Sequence, residues 1–255
     1  MEPPPGDPTE TPALCVCDDD SFWPWHRWTE FRDWPGKADT VVVLPVAGTA
    51  DWGLGHPLDS EETVLLALVR DACRRAPAER RHLVLPPVRF VLGPDPSCAF
   101  AVDAPTAHSA VAEVVASVAA AGFSRIAIVN ASPWNEELLA AAARDLRIAR
   151  GLHLFLVHLS ALGLDFHPVR SRSRRTLQTV LTSLYGREPG PVAGEGETPA
   201  SWGTEPVTRL AGTPLALAEA RAEAGAVLGG AGAHLARLLS EIRERPPVAV
   251  HVRPI

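Results

Sequence analysis

The sequence predicts a layered α/β domain with a mainly parallel sheet. Three observations carry this: apolar runs of strand length, stretches of helical periodicity alternating with them, and turn or cap signals where one gives way to the next. The run Val41-Val42-Val43-Leu44-Pro45-Val46 is continuous and β-branched, as expected of a strand buried on both faces. Helical periodicity follows from Glu62 to about Ala76, with Ser60 placed as an N-cap.

His82-Leu83-Val84-Leu85-Pro86-Pro87-Val88 reads as a second strand. Ala107 to Ala121 is an Ala/Val-rich helix closed by Gly122, where the chain needs a left-handed cap. Ser124 to Asn130 is a third strand, Asn135 to Arg147 a third helix, and Leu152 to Leu159 a fourth strand. A Gly/Pro/Glu-rich loop from Gly186 to Pro206 has a length that points to function or disorder. Ala216 to Glu244 is Ala-rich and helical, with an interruption expected around Gly229 and Gly230. In a parallel sheet, ligands bind beyond the carboxyl ends of strands, so chemistry belongs in the loops after Val46 and Val129.

The flanks are read separately. Residues 1–20 are rich in Pro, Asp, Glu and Thr and poor in large apolar groups, so a disordered tail is expected before one domain over 21–250. Phe22-Trp23-Pro24-Trp25-His26-Arg27-Trp28, with Phe31 and Trp34, concentrates aromatics that pack either onto the domain or onto a neighbouring subunit.

With 255 residues the chain can bury one substantial core. A net charge of -6 argues against nucleic-acid binding. The cluster Arg170, Arg172, Arg174 and Arg175 reads as a solvated loop, with an anion- or partner-binding arm as the alternative. No apolar run reaches the roughly 18 residues of a spanning helix, and the start lacks a signal pattern, so a cytoplasmic protein off the membrane is expected. Cys15, Cys17, Cys73 and Cys98 lack CxxC spacing and read as reduced thiols.

Four landmarks, in order, resemble the signatures of one known family. Leu44-Pro45-Val46-Ala47-Gly48-Thr49-Ala50-Asp51-Trp52-Gly53-Leu54-Gly55-His56-Pro57-Leu58-Asp59-Ser60-Glu61 is similar, without a gap, to the family's Leu-Pro-Val-Gly-Ser-x-Glu-Gln-His-Gly-Pro-His-Leu-Pro-Leu-x-Thr-Asp. Gly122-Phe123 through Asn130-Ala131-Ser132-Pro133-Trp134-Asn135 resembles its strand ending in Asn-Gly-His-x-x-Asn. Val192-Ala193-Gly194-Glu195-Gly196-Glu197-Thr198 resembles His-Ala-Gly-Glu-x-Glu-Thr. Gly212-Thr213-Pro214-Leu215-Ala216 resembles Gly-Asp-Pro-x-x-Ala at the start of the last helix. On these four landmarks the chain resembles the creatininase/creatinine amidohydrolase family, which implies a single-domain three-layer α/β/α sandwich, oligomeric assembly, and amide hydrolysis by two divalent metals such as zinc or manganese.

The residues that would do that chemistry are mostly replaced. The first signature's ligand Glu falls on Ala50, its ligand His on Trp52 and its bridging Asp on Glu61. The second signature's ligand His falls on Ser132, and Trp134 stands where some members place a further Glu. The third signature's His falls on Val192, while its Glu is kept as Glu195. Methyl, isopropyl and indole groups do not ligate metals, and serine is a poor ligand without stronger donors. No bound metal and no other cofactor is expected. A displaced weak site from Asp51, His56 and Glu61 is one alternative, and Ser132 as a nucleophile with His56 as base is another. His153, His158 and His167 read as packed or surface histidines.

The leading expectation is therefore a pseudoenzyme subunit that assembles with itself or with an intact paralogue, using the Trp23–Trp34 stretch as contact surface. One alternative is an active metal-dependent amidohydrolase or peptidase with a rebuilt site, cleaving a cyclic amide or a C-terminal peptide bond, as in modified-peptide maturation. A second is a small-ligand binding module walled by Trp52 and Trp134.

Overall fold

The computed structural model describes residues 21–77, 82–92, 98–167, 172–190 and 214–246. The expected tail, Cys15, Cys17, Arg170 and the Val192–Thr198 landmark lie outside them.

In chain order the elements are α1 (Trp28–Arg32), β1 (Val41–Ala47), β2 (Thr49–Ala50), α2 (Ser60–Arg75), β3 (Leu83–Val84), β4 (Val88–Arg89), β5 (Val91–Leu92), β6 (Cys98–Ala99), β7 (Ala101–Val102), α3 (Ala104–Ala120), β8 (Arg125–Asn130), α4 (Glu136–Arg150), β9 (His153–His158), α5 (Arg174–Tyr185) and α6 (Leu217–Glu244). The central sheet runs β3-β1-β8-β9, with β4 also on β1, and every pairing in it is parallel. β2 and β6 form a small antiparallel pair, and β5 and β7 a parallel one.

β1 and β8 are buried at every residue, as their apolar runs require. Alternate side chains serve two cores. Val41, Val43, Ala47, Ala127 and Val129 join the core against α2, α5 and α6. Val42, Leu44, Val46, Ile126 and Ile128 face the one shared with α3 and α4. Helices on both faces of a parallel sheet make the three-layer α/β/α sandwich.

The structure corrects several sequence expectations. The second strand is split into β3 and β4, because Pro86 and Pro87 have no N–H to give the ladder. Ser60 is not the N-cap of α2; Asp59 holds that position without a side-chain cap, and Ser60 Oγ donates to the Pro57 carbonyl. α3 starts three residues early, capped by Asp103, whose carboxylate accepts from Thr106 N–H at 2.8 Å. α6 runs unbroken through Gly229 and Gly230, since its packing on α2 and α5 outweighs glycine's weak helix propensity. The basic cluster is not all loop: Arg174 opens α5 and is buried.

The N-terminal aromatics fold mostly onto their own domain. Trp23 stacks on Phe31 at 4.2 Å, and Trp34 donates to Thr40 Oγ1 at 3.2 Å. All three rings gather round Phe123. Trp28 alone among them is widely open, at 77% exposure. Among the described residues no helix is long and apolar enough to cross a membrane.

Candidate functional site

The parallel strands deliver three loops to one end of the sheet. The loop after β1 carries Ala50 to His56, the turn after β8 carries Ser132 to Asn135, and the segment after β9 carries Phe166 and His167. Glu61 enters from the first turn of α2, directly beneath the first loop. Its side chain is fully buried, and Oε2 accepts from Gly48 N–H at 2.5 Å. A Cβ on Gly48 would stand 3.1 Å from that oxygen, so the small residue admits the carboxyl.

Burial pushes the Glu61 pKa up to about 7, against the opposing pull of Gly48 N–H, the Ser132 hydroxyl and the Trp52 indole. Ser132 Oγ and Trp52 Nε1 stand close enough to exert that pull. Even so, among the described residues neither they nor Glu61 Oε1 makes a hydrogen bond of ordinary geometry, and the Trp134 indole nitrogen is likewise buried without a partner there. Trp52 and Trp134 lie near-parallel, with ring centroids 6.4 Å apart. Phe166 packs on Trp52 at 5.6 Å and His167 on Trp134 at 5.0 Å.

α5 fixes the first loop from outside. Arg174 Nη2 donates to the Trp52 carbonyl at 2.8 Å, and Gln178 Nε2 donates to the Leu54 carbonyl at 3.1 Å. His56 Nε2 and Thr182 Oγ1 are 3.2 Å apart, and the imidazole stacks on Tyr185 at 5.5 Å. Burial drops the His56 pKa to about 4, so the ring is neutral at pH 7. Gly190 N–H donates to the Gly55 carbonyl at 2.7 Å, joining the segment after α5 to the same loop.

At the end of β8, Asn130 is held by the backbone it precedes. Its Oδ1 accepts from Ser132 N–H at 3.3 Å, and its Nδ2 donates to the Ser132 carbonyl at 2.7 Å. That orientation points Nδ2 at His158 Nδ1, 3.1 Å away. At that contact Nδ1 accepts the amide hydrogen. Asn135, completely buried, donates to the Phe90 carbonyl at 2.9 Å and accepts from Leu92 N–H at 3.1 Å. It thereby ties the strand end to β5.

Of the sequence candidates, Trp52, Glu61, Ser132 and Trp134 come together at this place. Ala50 is buried in β2 beside them, pairing with Cys98. Val192 and Glu195 lie outside the described residues. Asp51, His56 and Glu61 do not form a donor cluster. Asp51 Oδ1 accepts from Gly53 N–H at 2.8 Å within its own turn, and His56 faces α5. Among the described residues no imidazole is hydrogen-bonded to Ser132 Oγ to serve as its base. Asn130, Phe166, Arg174 and Gln178 were missed as site residues. Only Asn130 had a signal, its place at the end of a buried strand.

The residues described here do not fit two divalent ions. Indole nitrogens donate and do not ligate, and Glu61 is the one strong donor beside Ser132. Among the described residues no group of three or more His, Cys, Asp or Glu could hold a metal ion.

Comparisons with known proteins agree on the fold. A family model described as creatinine amidohydrolase matches residues 26–206. The structure is similar to a putative creatinine amidohydrolase from Bacteroides fragilis NCTC 9343, with TM-score 0.65 and 15% identity over 90% of this chain and 98% of that one. It is also similar to a creatinine amidohydrolase (creatininase), with TM-score 0.60 and 16% identity over 88% and 98%. A structure described as creatininase Mn gives TM-score 0.61 and 15% identity over 88% and 99%. A search of curated proteins gives no match.

Proposed function

The chain belongs to the creatininase family, and from that membership and the state of its site we propose that it works without dinuclear-metal amide hydrolysis, as a non-catalytic subunit that assembles with itself or with a metal-bearing paralogue. One observation carries this reading. Glu61 is fully buried, its carboxyl accepts from Gly48 N–H, and the side chains acting on it are the Ser132 hydroxyl and the Trp52 indole, beside which Trp134 lies near-parallel. A bridging water made nucleophilic near neutral pH needs metal ligands that these groups do not supply. The exposed Trp28, left open while its neighbours fold inward, is the contact residue for assembly.

Elemental analysis of protein purified without chelator tests the first half. Zinc, manganese or iron at near-stoichiometric level overturns it. Light scattering, alone and after co-expression with an intact family member, tests the second half. A strictly monomeric species under both conditions refutes the assembly role.

A second reading, small-ligand binding at the same place, is favoured by the buried indole nitrogen of Trp134, which has no hydrogen-bond partner among the described residues.

A further inference from the structure

We propose that Trp28 is the centre of a two-fold contact between two copies of this chain, in which α1 of each lies antiparallel to α1 of the other. The proposal rests on the assembly reading above and names the partner as a second copy. Trp28 is 77% exposed and Trp25 38%, whereas Phe22 and Phe31 of the same stretch are buried. An indole left in water beside packed neighbours marks a surface that another molecule completes.

The charges around Trp28 identify that molecule. Arg27 and Arg32 are balanced by Glu30 and Asp33, so the surface is neutral as a whole. A nucleic acid or an acidic peptide would call for an excess of positive charge, and a basic partner for the reverse. A second copy fits, because Arg27 stands at one end of α1 and Asp33 at the other. Trp28 and Arg32 are four residues apart on that helix and share one face. An antiparallel two-fold therefore sets Trp28 against Arg32 of the second copy, a guanidinium on an indole, and Arg27 against Asp33 of the second copy. Each contact occurs twice. Glu30 stays out of them, since its carboxylate is held by Arg27 N–H at 2.6 Å. The pairs Arg27–Glu30 and Arg32–Asp33 give way easily, because their arginines are 82% and 73% exposed and such pairs are worth little in water. α1 is five residues long, so the contact belongs to the small, reversible class.

Sedimentation velocity of the whole chain, over roughly a hundredfold range of concentration, tests this. The parent should pair reversibly, and added salt should shift the transition to higher concentration. Arg27→Asp and Asp33→Arg each set like charges face to face, and each should weaken self-association by about tenfold or more. Asp at an N-cap and Arg at a helix C-terminus are both favourable, so α1 is kept in either variant. Mixed together, the two variants should pair as strongly as the parent, since each offers the charge the other lacks. Trp28→Ala should also weaken pairing by about tenfold or more. The proposal is overturned if Trp28→Ala or the single charge variants associate like the parent, or if mixing them restores nothing; assembly through another surface then still stands. Association only with an intact paralogue likewise sinks the second copy and leaves the assembly role. A chain that stays monomeric alone and with the paralogue sinks both.

Discussion

Replacing Glu61 by Gln converts a buried acid into a permanently neutral amide of the same shape, and the effect on stability should depend on pH in one direction. In the unfolded chain the carboxyl titrates near 4.5; in the folded protein burial moves it up to about 7. The folded state thus holds a proton that the unfolded state has released. Stability from this group is fully present below about 4.5, declines as pH rises, and is gone above about 7. The difference of roughly 2.5 pH units corresponds to about 3 kcal/mol. Urea unfolding of parent and Glu61→Gln at pH 4.5, 5.5, 6.5 and 8 isolates this contribution, because every other titrating group is shared. The parent should lose about 3 kcal/mol relative to the variant between the extremes. Parallel stability curves refute the reasoning. So does a parent that gains stability relative to the variant as pH rises.

Other groups give independent checks. His82 is almost completely buried beside Arg243, and burial lowers its pKa to about 4. Its neutral form is favoured on folding, so stability present above about 6.5 is lost as pH falls toward 4; His82→Gln should flatten that acid limb, and the ring should not titrate by NMR between pH 5 and 8. Gly55 has φ +72°, and a Cβ there would stand 2.5 Å from the Gly190 carbonyl oxygen. Gly55→Ala should therefore cost about 2 kcal/mol or more in urea unfolding and expose the 186–190 segment to limited proteolysis. Asp103→Ala removes the α3 cap and should cost about 1 kcal/mol in thermal unfolding, with assembly unchanged.

The buried strands were legible because their residues are apolar on both faces. Val41 to Val46 and Ile126 to Val129 are short, apolar throughout and mostly β-branched, the pattern of strands covered on both sides. α5 was not. Its polar residues Arg174, Gln178 and Thr182 look like a surface, but they are buried against loop carbonyls and His56, a partnership that exists only in three dimensions. The absence of ligand side chains at 50, 52 and 132 was plain from residue type alone. What stands in their place was not. Sequence offered Glu61 as a leftover donor, whereas its complete burial raises its pKa to about 7 against the pull of Gly48 N–H, Ser132 and Trp52. The expected interruption of α6 failed because local propensity is worth about 1 kcal/mol per glycine, less than the packing of a long helix. At Gly232 that packing is close enough for a Cβ to run into Asp71.

Trp52 belongs to the same buried cluster as Phe166 and the β1 side chains Val41 and Val43. Its indole is part of what keeps the chain folded. Truncating a large buried aromatic costs about 3–5 kcal/mol, a third or more of what a typical domain has in hand. Placing a small metal-ligating side chain at position 52 would incur much of that loss, and one ligand cannot hold an ion strongly enough to offset it. The packing of Trp52 thus acts as a ratchet against any change that would put a metal ligand in its place.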